Sequence, residues 1–261
     1  MADDAEACGV QCGESTIRAA FEYYQQQYVQ GKKWDTKSHV LMWLWGEEAF
    51  SHGSQEVFGL IYEKLQRQWQ VFRGSQTHLS AGDTFEALKA CCPQLRNQRL
   101  SGLTMSDVPV LNEVLEKAAK VKLIKAGPST VAVSKFLHFW NPKLFVIVDD
   151  SVMWKCVLAH HWVWKPIERA REATDRLLHH CRKGKDQACD LKTYLAVLMW
   201  AGAFLRAHPQ VSRCFAEYIH RYEGELPAGV EEYEAAAMEW FLLGLVEIPP
   251  DGWRTCESKS G

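Results

Sequence analysis

An aspartate in the middle of the chain directly follows an apolar run, and a carboxylate in that position could do chemistry. Asp149 comes after residues 144–148, which read Leu-Phe-Val-Ile-Val, and Asp150 and Ser151 precede a helix predicted to open at Val152. A carboxylate held rigidly at the end of a buried segment can stabilise a positive charge in a cleft. A capping role at the helix that follows is the open alternative for these polar residues, because their oxygens can accept free helix N–H groups.

A glycine turn lies 22 residues before Asp149, between two predicted helices, where residues 127–130 read Gly-Pro-Ser-Thr. Gly127 can adopt a positive φ, as a tight turn between two helices requires. Ser129 and Thr130 suit the start of the second helix. Such a turn leaves backbone N–H groups and the positive end of a helix dipole open to an anion, and we expect a phosphate-binding site there.

Lysines surround this turn. The span 117–148 contains six lysines and no Asp or Glu, so it carries +6, and the chain total of −2 leaves −8 for the remainder. This asymmetry indicates an oriented anionic partner such as DNA. Solvated helix surface explains the same lysines equally well. The lysines nearest the turn, which we expect to contact the DNA backbone, are Lys122, Lys125 and Lys135.

Helical periodicity dominates the rest of the sequence and predicts an all-α fold, because apolar residues recur at spacings of three and four. The exception is the segment 144–148, which is too short for a helix and is predicted to be extended between two helices. The predicted helices cover 14–29, 38–49, 57–72, 84–95, 108–120, 131–140, 166–180, 191–206, 211–222 and 229–245.

The chain length fits two helical lobes, with a boundary predicted near residues 100–107. The first lobe is predicted over 14–105, and the second, which contains the hairpin, over 106–250. The terminal residues 1–13 and 251–261 are predicted to be mobile.

The cysteine count and the pattern of apolar residues indicate the cellular location of the protein. The nine cysteines are odd in number and follow no disulfide framework, the N-terminus lacks a signal-peptide pattern, and no apolar run reaches about 18 residues. We expect an intracellular protein, cytoplasmic or associated with the nucleus or nucleoid, without a membrane partner. Neighbouring histidines on a helix point about 100° apart, so the pairs 160–161 and 179–180 predict no metal site, and no cofactor is predicted.

The glycine turn and the aspartate segment together resemble the helix-hairpin-helix DNA glycosylase superfamily, and the adenine glycosylase branch is the most similar. Residues 127–130 resemble its Gly-x-Ser-Thr hairpin. Residues 145–152, Phe-Val-Ile-Val-Asp-Asp-Ser-Val, resemble its Phe-Pro-Ile-x-Asp-x-x-Val motif, whose Asp is catalytic. The resemblance covers roughly 108–160. The chain is divergent, because residues 123–127 read Leu-Ile-Lys-Ala-Gly where the family reads Leu-Pro-Gly-Val-Gly.

The resemblance implies a monofunctional DNA N-glycosylase in which Asp149 is the catalytic carboxylate. The Schiff-base lysine of bifunctional members is replaced by Ser129 or Thr130, depending on the alignment, and the four-cysteine iron–sulfur loop has no counterpart. Trp140 and Trp154 are candidates to stack on a flipped base, although tryptophans also fill cores.

Two other functions stay open. A helix-hairpin-helix scaffold can persist without catalysis as a DNA- or protein-binding module, since fold does not imply function. An unrelated helical protein could instead bind another protein through its tryptophan-rich surface. The sequence predicts neither the target base nor a particular protein partner.

Overall fold

A computed structural model describes residues 13–30, 36–67, 80–91, 95–120, 130–148, 190–222 and 224–248. These residues form nine α-helices and no β-strand, so the predicted all-α class is confirmed. No helix in these stretches is long and apolar enough to cross a membrane. The helices are α1 (Glu14–Tyr24), α2 (Thr36–His52), α3 (Gln55–Arg67), α4 (Ala81–Cys91), α5 (Val108–Lys120), α6 (Thr130–Trp140), α7 (Leu191–Ala207), α8 (Gln210–Ile219) and α9 (Glu234–Glu247).

Helix ends differ from the predictions where local polar groups decide them. α4 begins at Ala81 and not at residue 84, because the Ser80 hydroxyl accepts the Asp83 N–H at 3.1 Å and caps the helix. α9 begins at Glu234 and not at 229, since Gly229 adopts φ +68° and a 3-10 turn, Val230–Glu232, comes first. The predicted helix over 166–180 lies outside the described residues.

The first and last helices of the described chain pack against each other. α1 lies so close to α9 that a Cβ on Gly244 would overlap the backbone oxygen of Ala20. The rings of Tyr24 and Trp240 stack beside this crossing, with centroids 4.5 Å apart. The N-terminal helix therefore belongs to the same buried core as the C-terminal one.

The predicted lobe boundary near residues 100–107 coincides with two short 3-10 turns. They are tied to the C-terminal helices, because Ser101 donates both its N–H and its hydroxyl to Glu234, each at 2.7 Å. Arg206 of α7 donates to the carbonyls of Ser101 and Leu103, at 2.9 Å and 2.7 Å. The domain limits themselves stay a prediction.

Helices α2 and α6 meet at Gly46, where a Cβ would overlap the carbonyl oxygen of Phe139. Gly46→Ala should therefore lower the free energy of unfolding by about 1–3 kcal/mol, since the two helices must separate. Gly59 of α3 is the matched control, because its added Cβ would meet no atom within 4 Å other than its neighbours along the same helix. Gly59→Ala should be neutral or stabilise by up to about 1 kcal/mol, as Ala is the better helix former.

Urea unfolding of both variants measures these changes. Equal stability of the two variants would contradict the close crossing of α2 and α6.

Candidate functional site

The candidate site is built around the chain that leaves α6 and leads to Asp149. We call residues 141–148 the anchored segment. It forms a turn and then an irregular stretch, and its residues 144–148 are buried, with four of them at 0 % exposure. The extended region predicted here is confirmed as non-helical. Asp149 itself lies outside the described residues.

Asn141 ends α6 and starts the anchored segment. Its side-chain N–H₂ donates to the Leu95 carbonyl at 2.8 Å, and its side-chain oxygen accepts the Lys143 N–H at 3.0 Å. The carbonyl of Pro142 accepts the N–H groups of Ala235 and Ala236, at 3.0 Å and 3.2 Å. The first turn of a helix has N–H groups without partners inside the helix. The Pro142 carbonyl therefore satisfies two of these donors of α9, and they in turn satisfy this carbonyl.

Three side chains hold the rest of the segment by its backbone. His138 Nδ1 lies 2.8 Å from the Phe145 carbonyl oxygen. The Tyr194 hydroxyl donates to the Val146 carbonyl at 2.9 Å. The Ser134 hydroxyl accepts the N–H of Val148, the residue before Asp149, at 3.0 Å. Ser134 and His138 are four residues apart and so share one face of α6.

The protonation of His138 follows from its two contacts. The Trp43 indole N–H donates to Nε2 at 3.0 Å, so the ring proton sits on Nδ1 and is donated to the Phe145 carbonyl. Burial lowers the pKa of His138 to about 4, and its bond to Phe145 only partly opposes this. A carboxylate oxygen of Glu239, also buried, lies 3.7 Å from Nε2.

His39 completes this buried polar cluster on α2. Its pKa lies well below 6.5, first because the ring is fully buried and then because a proton on it would be repelled by His138, when that ring is also protonated, and by Lys135. Both imidazoles are therefore neutral in the folded protein near pH 7.

Lys135 lies inside the protein, with 6 % of its surface exposed. This burial argues against the expected contact between Lys135 and a DNA backbone, because a lysine that contacts phosphates needs its ammonium group at the surface. Lys135 shares this burial with almost the whole helix, since 130 and 132–139 are all buried positions of α6.

Thr130 is the first residue of α6 and is buried. Trp140 is half-buried, and its ring lies against those of Phe50 and Phe145, with centroids 6.1 Å and 6.0 Å away. Part of the Trp140 ring therefore packs on the core. The other expected site residues fall outside the described residues, so the structure does not bring the set together: Lys122, Lys125, Gly127, Ser129, Asp149 and Trp154.

Carboxylates from outside the positive span pair with two of its lysines. Lys117 lies 2.6 Å from Glu113, one turn earlier on α5. Lys143 lies 2.8 Å from Glu232, which Arg99 also contacts at 2.6 Å. Hydrogen bonds from Lys143 and Arg99 hold the pKa of Glu232 below its usual value. The charge that the span offers to a partner is therefore smaller than its sequence count of +6.

The residues that hold the anchored segment were not predicted as site residues. Trp43, His138 and Tyr194 carry no motif of their own. The available signal was the pair Ser134 and His138, two polar residues four apart on a mostly apolar helix.

Within the described ranges, no three His, Cys, Asp or Glu residues are placed to hold a metal ion. No family model, curated protein or solved structure matches the chain. The glycosylase resemblance therefore stays a prediction that depends on the two sequence motifs.

Burial of His138 predicts that the protein loses stability in acid. Its pKa of about 4 in the folded state is below the ordinary 6.5, so the unfolded chain binds more protons between these values. The free energy of unfolding should fall as the pH drops from 6.5 to 4, by roughly 3 kcal/mol from this group. His39 is shifted in the same direction and adds to the loss.

Urea unfolding at pH 7 and at pH 5 measures the effect. His138→Gln should be less stable at pH 7, because Gln cannot replace both bonds, yet it should lose less stability on acidification than the parent chain. Equal losses in the two proteins would contradict the assignment of a neutral, buried His138.

Proposed function

We propose that this protein binds DNA through a helix-hairpin-helix element and acts as a monofunctional DNA N-glycosylase with Asp149 as its catalytic carboxylate. One structural observation supports the proposal beyond the motifs. The anchored segment, which runs up to Val148, is buried and held by side chains of α6 and α7. A catalytic group needs such rigid support, because small displacements cost much of the rate.

In the proposed mechanism, the target nucleotide leaves the stack at a cost of a few kcal/mol and enters a pocket. The N-glycosidic bond then breaks, and its electron pair departs with the base. The Asp149 carboxylate stabilises the resulting oxocarbenium-like sugar and directs water to C1′, as a carboxylate does in glycoside hydrolysis. The oxygen of this water bonds to C1′, and the proton that it loses passes to the departed base. Trp154, and the part of Trp140 that is not packed on Phe50 and Phe145, are the proposed stacking surfaces.

Phosphate contacts are assigned to the hairpin. Lys122 and Lys125 carry the proposed positive charge, and the backbone near Gly127, Ser129 and Thr130 supplies N–H donors at the start of α6. Lys135 is left out of this set because it is buried.

The second candidate is a non-catalytic DNA- or protein-binding module on the same scaffold. The ion pairs of Lys117 with Glu113 and of Lys143 with Glu232 favour its protein-binding form, because they reduce the positive charge available to a nucleic acid. The two candidates differ in whether a base is released.

Base release tests the catalytic proposal. The protein is incubated with duplexes that carry different damaged or mismatched bases, and abasic sites are measured. Asp149→Asn should lower the excision rate at least about 100-fold, since it removes the charge that faces the sugar cation. Its DNA affinity should stay within a few-fold of the parent value.

Asp190→Asn is the matched control. Asp190 caps α7 by accepting the Thr193 N–H at 2.6 Å, and Asn caps a helix equally well. Its excision rate should equal that of the parent chain. Excision that survives Asp149→Asn would remove Asp149 from the mechanism, and binding without any excision would favour the second candidate.

Salt dependence tests the proposed DNA contact. Duplex affinity should fall linearly with salt on a double logarithmic scale, and Lys122→Ala with Lys125→Ala should reduce that slope by about 2. Lys192→Ala, at an exposed position in the first turn of α7, should leave the slope unchanged. Absence of binding at low salt would contradict the assignment of these lysines.

A further inference from the structure

Two helices hold the anchored segment from different directions. Ser134 and His138 reach it from α6, whereas Tyr194 reaches it from α7. The three contacts fall on residues 145, 146 and 148, so the last residues before Asp149 cannot shift along the core without breaking a buried hydrogen bond.

His138 is itself fixed by a third helix. The Trp43 indole of α2 occupies its Nε2, so the ring can offer only Nδ1–H to the Phe145 carbonyl. The Ser134 hydroxyl is fixed as well, because it donates to the Val131 carbonyl at 2.9 Å while it accepts the Val148 N–H. The hydrogen-bonding directions of His138 and Ser134 are therefore each set by a second partner.

We propose that Ser134, His138 and Tyr194 are positioning residues that set the place of the Asp149 carboxylate through the backbone of residues 145–148. This inference depends on the proposed glycosylase function. None of the three is assigned a catalytic role, because the hydrogen bond that each makes to the anchored segment is to its backbone. Their effect reaches Asp149 through its peptide bond with Val148.

The chemistry of these residues favours positioning over packing alone. Tyr194 and Ser134 are fully buried, where Phe and Ala would fill comparable space. A buried non-helical segment lacks the internal backbone partners of a helix, so its carbonyl and N–H groups need donors and acceptors from elsewhere. The three side chains supply them in the last residues before Asp149.

Tyr194→Phe tests the proposal with the smallest change, since it removes only the hydroxyl that binds the Val146 carbonyl. We expect kcat for base excision to fall about tenfold or more while KM stays within about twofold, because a displaced carboxylate weakens the transition state and not DNA binding. Ser134→Ala should likewise lower kcat and leave KM nearly unchanged.

Tyr233→Phe is the matched control. Its hydroxyl is directed to Glu47, 3.5 Å away, and makes no described contact with the anchored segment. This variant should keep the parent kcat. Equal effects of the two Tyr→Phe changes on kcat, or a change in KM alone, would overturn the positioning role.

Amide hydrogen exchange at Val148 provides a measurement that does not depend on activity. Exchange should accelerate about tenfold in Tyr194→Phe and remain unchanged in Tyr233→Phe, because only the first loosens the anchored segment. If the parent chain releases no base from any duplex, the proposed function fails, and faster exchange still supports the anchoring. Unchanged exchange in Tyr194→Phe overturns the anchoring itself.

Discussion

The hydrogen bond from the Trp43 indole to His138 is the interaction on which the described core depends. It joins α2 to α6 at a point with no solvent, and it determines which nitrogen of His138 carries the proton. A buried imidazole with an unsatisfied nitrogen would cost about 1–3 kcal/mol, so both of its partners are needed. Through the second partner, the Phe145 carbonyl, the same ring also determines where the chain runs after α6.

This arrangement demands close helix packing. The Phe139 carbonyl lies against α2 at a position where only Gly46 leaves room, and that approach is made one residue beyond His138. A larger residue at 46 would push α2 away from α6 and lengthen the Trp43–His138 bond. Gly46 and the Trp43–His138 pair therefore depend on each other. Gly46 allows α2 and α6 to approach closely, and the hydrogen bond between Trp43 and His138 requires that close approach.

The sequence predicts the helices well because their signal is local. Val108–Lys120 is predicted to the residue, since its apolar positions alone mark the buried face. Helix starts are less predictable, because a single polar group such as the Ser80 hydroxyl moves them by several residues. The non-helical nature of 144–148 was also visible in its length and its flanking residues.

The contacts that build the candidate site could not be predicted in this way. Trp43 and His138 are 95 positions apart, and Tyr194 and Val146 are 48 apart, so no periodic pattern connects them. The pairing of Lys143 with Glu232 spans 89 positions. A count of charge along the sequence assigns the lysine to one segment and the carboxylate to another, although in the fold they meet.

The net charge of a sequence segment therefore differs from the charge that the folded protein presents to a partner, and only the second bears on function. Of the six lysines in 117–148, Lys117 and Lys143 are ion-paired and Lys135 is buried, so the charge left for a partner is that of the remaining three, Lys120, Lys122 and Lys125. Exposed ion pairs are weak, and a polyanion such as DNA can compete for their lysines at low salt. A surface of this kind favours a short, oriented contact with one stretch of backbone over a broad electrostatic one. A contact of that kind is what the proposed glycosylase function requires, in which a single nucleotide is placed against the Asp149 carboxylate.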